Sequence, residues 1–150
     1  AILHPNDVKR VVRALEIFEL TGRKKSEQRD EKIARFAYEA FAFDFPRGEL
    51  YARIDRRVEE MFEAGLVGEV EGLLAAGVPE DAQCMQGIGY KEVIEGLKNG
   101  YLHSTMRDII QKNTRNYAKR QLTFFKKLPN LHWLDPSGAA IEEVIELYDR

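Results

Sequence analysis

Helical spacing dominates the apolar pattern of this 150-residue chain and leaves little sequence for strands. Apolar side chains recur at intervals of three or four residues in stretches that end at glycine or a turn, which is typical of amphipathic helices. These stretches lie at residues 8–18, 50–62, 67–76, 91–99, 106–117 and 141–148. We therefore predict a mainly α fold with a few short strands, and we expect Ser104 to cap the helix at residues 106–117.

Only two segments have the residue pattern of strands. Residues 35–45 alternate aromatic and small side chains, as in a strand with both faces covered, and residues 131–134 form a shorter candidate. Two such strands do not make a full sheet, so we expect the chain to be a portion of a longer protein. The polar stretch at residues 23–32 lacks periodicity and predicts a junction, which divides the chain into domains at residues 1–34 and 35–150.

Composition excludes several classes of protein. No apolar run approaches the roughly 20 residues that span a bilayer, so no membrane association is expected. A single cysteine, Cys84, rules out an intrachain disulfide and fits a cytoplasmic location, and we expect it to be buried as a small apolar residue. The three histidines stand alone without carboxylates at metal-ligand spacing, so no metal site is predicted in this chain.

The net charge of −2 hides a strongly basic segment. Residues 112–127 contain no Asp or Glu and carry the cations Lys112, Arg115, Lys119, Arg120, Lys126 and Lys127. Tyr117, Phe124 and Phe125 lie among them, and this mixture suits a phosphate backbone with unpaired bases. The alternative is a solvated amphipathic helix whose aromatic residues face the core, with Tyr117 on the same side as Met106 and Ile110.

Two arginines lie one helical turn apart in the segment that begins near Glu49. Arg53 and Arg57 would project from the same side of a helix. Two guanidinium groups so placed can hold a diphosphate through forked hydrogen bonds and stabilise charge on a leaving group. The alternative is a set of surface salt bridges to Asp55, Glu59 or Glu60.

Residues 86–91 read Gln-Gly-Ile-Gly-Tyr-Lys and contain a lone pair of glycines in the pattern GxG. This falls short of the dinucleotide-binding fingerprint. The glycines would still permit the backbone to approach a ligand closely. We expect these residues to form a flexible bend, and the alternative to a ligand contact is a plain turn between two helices.

Several motifs occur in a fixed order along the chain. They are HPND, RVVRALE and TG within residues 4–22, LYARIDRRV with the following M, GL and EV within residues 50–70, GIGYKE at residues 87–92, TRNYAKRQLT at residues 114–123, and HWLD at residues 132–135. Any one of them is a weak signal, but the ordered set is specific. Together they resemble the tRNA dimethylallyltransferase (tRNA isopentenyltransferase) family.

The resemblance implies transfer of a dimethylallyl group from its diphosphate to N6 of the adenine 3′ of the anticodon, at position 37. It also implies an α/β P-loop-like transferase core that uses Mg²⁺ and carries an inserted helical domain. Residues 1–34 would be the end of that insertion, and residues 35–150 the C-terminal part of the core. The expected partners are the tRNA anticodon stem-loop and dimethylallyl diphosphate, and the full-length protein is expected to be a monomer.

Carried over to this sequence, the resemblance also implies functional residues. Arg57, with Arg53 beside it, matches the arginine of the diphosphate channel. The positions that match tRNA-contacting segments are Lys9, Arg10, Arg13, Gln86, Gly87, Gly89, Tyr90, Lys91, Arg115, Lys119, Arg120, Gln121, Thr123, Phe124 and Lys126.

The sequence contains no match to the family's phosphate-binding loop or to the aspartate that the family uses as a base. We expect Mg²⁺ to be bound mainly by that N-terminal part, and we expect Asp7 and Asp55 to cap or pair instead. The chain alone would then be inactive. Two alternatives are a noncatalytic RNA-binding module derived from the family, and an adenylate isopentenyltransferase that acts on a free nucleotide.

Overall fold

The computed structural model describes residues 4, 6–28, 37–136, 142 and 144–145. Within them the elements are α1 (Val8–Thr21), β1 (Ala40–Phe43), α2 (Arg47–Glu63), α3 (Leu66–Ala75), a 3₁₀ helix (Gln83–Gln86), α4 (Tyr90–Asn99), α5 (His103–Phe125) and β2 (Leu131–Leu134). The predicted mainly α fold with a few short strands is confirmed. The helix predicted at residues 141–148 falls mostly outside the described residues. Among the described helices, none has the length and apolar character needed to cross a membrane.

The chain divides into two compact units, Ala1–Tyr38 and Glu39–Arg150. In the first unit, the Asp7 side chain caps α1 by accepting a hydrogen bond from the backbone N–H of Arg10 at 3.4 Å. Gly22 ends the helix with a φ of +66°, a conformation that favours glycine. The assignment of this unit to the end of a helical insertion stays a prediction.

The apolar stripe of α1 is exposed within its unit. Val8, Val12, Leu15 and Phe18 keep between 47% and 63% of their surface accessible. The spacing of these residues correctly predicted the helix, since periodicity reports local conformation. It did not predict burial, because burial requires a second element to cover the stripe.

The core of the second unit lies between α2, α3, α4 and α5. Its side chains include Val58, Val70, Met85, Val93, Met106 and Ile110, all at most 2% exposed. Burying each such side chain contributes about 1.5–3 kcal/mol. At Gly96 of α4, a Cβ atom would come within 2.6 Å of the Met106 side chain, so glycine lets α4 approach α5 closely.

Cys84 is exposed, so the prediction that it is buried is wrong. The 3₁₀ helix that carries it directs the next residue, Met85, into the core instead. Successive residues on so short a helix face different directions, and only one of the two can point inward.

The two strands form a parallel pair in which Ala40 lies opposite Leu131 and Phe43 lies opposite Leu134. The prediction of a strand over residues 35–45 with both faces covered is wrong in length and burial for the described part, since β1 has four residues and Phe43 is 51% exposed. Residues 35 and 36 lie outside the described part. The ladder is short because β2 offers only four residues for pairing.

Helix α5 differs from its prediction in its N-terminal cap and in the exposure of Tyr117. It begins at His103 with Leu102 as the N-cap and no side-chain cap, so Ser104 lies inside the helix rather than capping it. Met106 and Ile110 are buried as predicted, but Tyr117 is 46% exposed. The helix is about 35 Å long, and the core packs against its first half, where Met106 and Ile110 lie.

Candidate nucleic-acid interface and arginine pair

The C-terminal half of α5 presents a basic face to solvent. From the middle of α5 onward the face comprises the exposed residues Lys112, Asn116, Lys119, Arg120 and Thr123, and the exposed Lys127 follows in the turn after the helix. Asn116, Lys119, Arg120 and Thr123 line a shallow groove on it. Residues 112–127 contain no acidic side chain, so no acid within that segment offsets the positive charge of this face.

Two exposed aromatic rings lie beside the basic face, both on one side of it. Tyr117 is 46% and Phe124 is 59% exposed, and their seven-residue spacing places them on the same side of α5. The guanidinium of Arg120 lies 5.8 Å from the centre of the Tyr117 ring. The alternative of a helix with core aromatic residues is therefore wrong for these two rings, whereas the third ring, Phe125, is partly buried.

Arg115 has a different environment from the other cations of α5. Its guanidinium forms an ion pair with the carboxylate of Asp55 on α2, and its side chain is 29% exposed. The expectation that Asp7 and Asp55 cap or pair is confirmed. Arg115 therefore joins α5 to α2 with a charge that is already partly neutralised.

The sequence analysis missed further polar contacts between α5 and α2, which together form a seam between these two helices. Arg107 lies 2.9 Å from the Glu59 carboxylate, and the Gln111 amide donates to Glu59 Oε1 at 3.2 Å and to the carbonyl of Asp55 at 3.3 Å. The three α5 residues are spaced four apart, as are the two acids on α2. That matched spacing was the signal from which the seam could have been found.

The arginine pair on α2 has one engaged and one open member. Arg53 lies 3.3 Å from Glu49 and 4.6 Å from the centre of the Phe45 ring. Arg57 is exposed and makes no ion pair or hydrogen bond with any residue that the structure describes. Of the alternative, surface salt bridges to Asp55, Glu59 or Glu60, only part holds: Arg53 forms a surface salt bridge, but with Glu49, while Asp55 and Glu59 pair with α5.

Residues 86–91 lead from the 3₁₀ helix into α4 through a hydrogen-bonded turn, in agreement with the alternative of a turn that joins two helices. The Gln86 amide donates to the carbonyl of Glu80 at 2.9 Å, and Gly89 is the N-cap of α4 with a φ of +105°. A Cβ atom at Gly89 would lie 3.4 Å from the Met61 side chain, and its φ is rarely adopted by other residues. Gly87 and Lys91 on this turn are exposed.

A buried carboxylate fixes this turn. Glu92 is 2% exposed, and its Oε2 accepts a hydrogen bond from the backbone N–H of Gly89 at 2.7 Å. Its Oε1 accepts a second one from the Asn113 amide of α5 at 2.9 Å. The sequence analysis did not single out Glu92, although a Glu three positions after an N-cap is a recognised capping signal.

Tyr90, at the start of α4, is tied to α3. Its hydroxyl donates a hydrogen bond to Glu69. That hydrogen bond, together with desolvation and the charge of Glu69, raises the pKa of the Tyr90 hydroxyl above 10.0. Tyr90 therefore keeps its proton at neutral pH and stays a hydrogen-bond donor.

The predicted site residues of the first unit lie on α1. Arg10 lies 3.3 Å from Asp7 and Arg13 lies 3.0 Å from Glu16, whereas Lys9 has no ion pair within the described part of the chain. These three cations line a groove together with two further lysines, Lys24 and Lys25. The groove has apolar walls and a positive rim.

The described residues include no group of three or more His, Cys, Asp or Glu side chains arranged to hold a metal ion. The described residues of this segment therefore do not by themselves fit the Mg²⁺ that the resemblance implies.

Comparison with known proteins decides the family. Residues 1–128 match the family described as IPP transferase. The chain belongs to this family. The predicted resemblance to the tRNA dimethylallyltransferases is thereby confirmed.

Similar proteins of the IPP transferase family come from several bacteria. The chain is 49% identical over 135 residues to tRNA dimethylallyltransferase 1 of Trichlorobacter lovleyi, an alignment that covers 88% of the chain and 44% of that protein. It is 42% identical to the tRNA dimethylallyltransferase of Thermotoga neapolitana, with 95% of the chain and 47% of that protein covered. The chain therefore spans less than half the length of these relatives.

Solved structures of the family have the same fold in the matching region. The full-length tRNA isopentenylpyrophosphate transferase of Bacillus halodurans superposes with a TM-score of 0.69 at 35% identity, covering 98% of the chain and 45% of that structure. The tRNA isopentenylpyrophosphate transferase of Staphylococcus epidermidis gives 0.65 at 34% identity, covering 99% of the chain and 51% of that structure. The chain thus corresponds to a part of the IPP transferase structure.

Proposed function

We propose that this chain supplies the tRNA-binding side and a diphosphate-binding arginine of a tRNA dimethylallyltransferase. The reaction transfers a dimethylallyl group from its diphosphate to N6 of the adenine at position 37. The single observation that carries the proposal is the exposed basic and aromatic surface of α5. The ion pair between Arg115 and Asp55 holds this surface against α2, the helix that bears the open Arg57.

The RNA side of the proposal uses α5 and the turn before α4. Lys119, Arg120 and Lys126 are exposed and suit the phosphates of an anticodon stem-loop. Tyr117 and Phe124 offer faces on which unpaired bases stack. The remaining proposed contacts of this unit are Gln86, Gly87, Gly89, Tyr90, Lys91, Arg115, Gln121 and Thr123.

The first unit adds a second proposed RNA contact through Lys9, Arg10 and Arg13. Surface ion pairs such as Arg10 with Asp7 are worth at most about 1 kcal/mol. A phosphate can therefore compete for these guanidinium groups at little cost. These three residues stay predictions, as does the site on α5.

The arginine side of the proposal follows from the chemistry of the leaving group. When the allylic carbon–oxygen bond breaks, positive charge spreads over the allyl group and negative charge builds on the diphosphate. A guanidinium donates forked hydrogen bonds to such an anion, and a fixed donor of this kind lowers the barrier by stabilising the developing charge. Arg57 is placed to do this because no described carboxylate competes for it, and Arg53 lies one turn away.

The adenine must leave the base stack of the loop before its N6 can react. The stacking rings of α5 can hold the bases that flank it while the amine attacks carbon. A carboxylate is needed to remove the N6 proton, and the resemblance assigns that base to a segment other than this one. We therefore propose that the chain acts only together with the remainder of such an enzyme.

A chimaeric enzyme tests the proposal. In it, this chain replaces the matching region of the Trichlorobacter lovleyi relative, and dimethylallyl incorporation into an anticodon stem-loop is measured. We expect activity in the chimaera, and a loss of about 100-fold or more in kcat for Arg57→Ala.

Arg56→Ala is the matched control, since Arg56 is also exposed and unpaired among the described residues. It should stay within about twofold of the parent chimaera. Equal rates for the two variants would refute the role of Arg57. An inactive chimaera whose chain still binds RNA would favour the noncatalytic RNA-binding module.

A further inference from the structure

The buried carboxylate of Glu92 lies outside the set of proposed RNA contacts. Glu92 is 2% exposed within the part of the chain that the structure describes. Its two oxygens bind Gly89 and Asn113, and neither belongs to the basic face of α5. A charge in such a place is costly unless hydrogen bonds satisfy it. Both oxygens of Glu92 accept hydrogen bonds, so its burial depends on these two partners.

Glu92 joins two segments that are distant in sequence. One oxygen holds the backbone N–H of Gly89 in the turn, at 2.7 Å, and the other holds the amide of Asn113 on α5, at 2.9 Å. Lys91 of the turn also lies near, with its ammonium 3.8 Å from Glu92 Oε1. The carboxylate is thus the bridge between the turn and the helix.

The two segments joined in this way are both proposed RNA contacts. The turn ends in Tyr90 and Lys91, and Asn113 lies six residues before Lys119 on α5. Six residues of α-helix span about 9 Å. A shift of the turn against α5 would therefore change the spacing between two sets of contacts to one RNA.

We infer that Glu92 and Asn113 form a positioning pair that sets the turn at residues 86–91 in register with the basic face of α5. This inference rests on the proposed RNA-binding function and names the residues that pre-organise it. Neither residue contacts RNA in this scheme. Pre-organised contacts bind more tightly because less ordering is required on association.

Affinity for a fluorescently labelled anticodon stem-loop, measured by anisotropy with the full 150-residue chain, tests the pair. Asn113→Ala removes the link and leaves Glu92 bonded to Gly89. We expect about a fivefold or larger loss of affinity, with an unchanged dependence on salt because no phosphate contact is lost. All measurements are made well below the melting temperature, where circular dichroism shows that each variant is folded.

Val70→Ala is the matched control for loss of stability. Val70 is fully buried in α3 and has no hydrogen-bonding role in the turn. If it lowers the melting temperature as much as Asn113→Ala without changing RNA affinity, the affinity loss belongs to the pair. If both variants lose affinity equally, the positioning role is overturned.

An exchange of polarity gives a second readout. In the double variant Glu92→Gln with Asn113→Asp, the Gln carbonyl can accept from Gly89 while its amide donates to the new carboxylate. The single Asn113→Asp variant should lose RNA affinity because two carboxylates then repel each other. We expect the double variant to recover at least half of that loss on a logarithmic scale of affinity. No recovery would overturn the inference.

Lys119→Ala separates the inference from the function on which it rests. If Lys119→Ala weakens RNA binding and Asn113→Ala does not, the RNA-binding proposal stands and the positioning pair is wrong. If wild-type chain does not bind the stem-loop at all, the proposed function itself fails, and the inference fails with it.

Discussion

Asp55 of α2 and Arg115 of α5 form an ion pair across the seam between the two helices that carry the proposed site. The pair lies beside the contacts of Gln111 with Asp55 and Glu59. Arg57 is two residues from Asp55, and Lys119 is four residues from Arg115. The seam therefore determines how far the open arginine lies from the basic face.

Substitutions at this pair should act mainly on stability. Since both side chains are about a third exposed, solvent screens the pair, and Asp55→Ala or Arg115→Ala should each lower the free energy of unfolding by about 1 kcal/mol. The double variant should lose less than the sum, because either single change already removes the interaction. Urea unfolding measures all three, and strict additivity would show that the two charges do not interact.

The basic face predicts a specific salt dependence. Lys119→Ala should reduce the slope of log K against log salt for stem-loop binding by about 0.7 to 1, since one phosphate contact disappears. Lys98→Ala is the control, because Lys98 is an exposed lysine of α4 that already pairs with Glu80. The proposed interface fails if the two variants change the slope equally.

The exposed rings of α5 predict a loss of RNA affinity that leaves the salt dependence unchanged. Tyr117→Ala and Phe124→Ala should each weaken RNA binding by about 1–3 kcal/mol through lost stacking, with the salt slope unchanged. Their stability should change little, because both rings are largely exposed. Phe124→Tyr keeps a stacking face and should bind as well as wild type. A large loss of melting temperature without a loss of affinity would instead mean that the rings support the fold.

Tyr90 predicts a titration at high pH. Its hydrogen bond to Glu69, aided by desolvation and by the charge of Glu69, raises the pKa of the hydroxyl above 10.0 in the folded chain. The protonated phenol is therefore the form that folding favours, so its stabilising contribution is present below pH 10 and is lost as pH rises through the folded pKa.

The measurement is an NMR titration of ring-labelled tyrosine, with Tyr90→Phe to assign the signal. Glu69→Gln should move the Tyr90 pKa down toward 10.0, because both the carboxylate acceptor and its charge are removed. An unchanged pKa in that variant would show that Glu69 is not the cause.

Local patterns in the sequence determined most of the helices. The spacing of apolar residues and the glycine stops gave α1, α2, α3 and α4 to within a few residues, since both signals act through contacts only three or four residues apart. The ordered motifs indicated the family, and the match over residues 1–128 confirms it. These conclusions needed no knowledge of which elements pack together.

Tertiary packing decided the features that local patterns do not contain. The first half of α5 packs in the core and its second half is open, so Met106 is buried and Tyr117 is exposed although one periodicity covers both. Burial depends on which partner is near, and partners come from distant parts of the chain.

Charge pairing also depends on partners from distant parts of the chain. Asp55 and Glu59, which lie near Arg57 in sequence, pair with Arg115 and Arg107 of α5, and Glu92 holds Asn113 across 21 residues. Sequence alone determined where the cations, rings and glycines stand along the chain. Only the folded structure decided which of those cations are open to an anion, because electrostatic energy depends on separation in space rather than on separation in sequence.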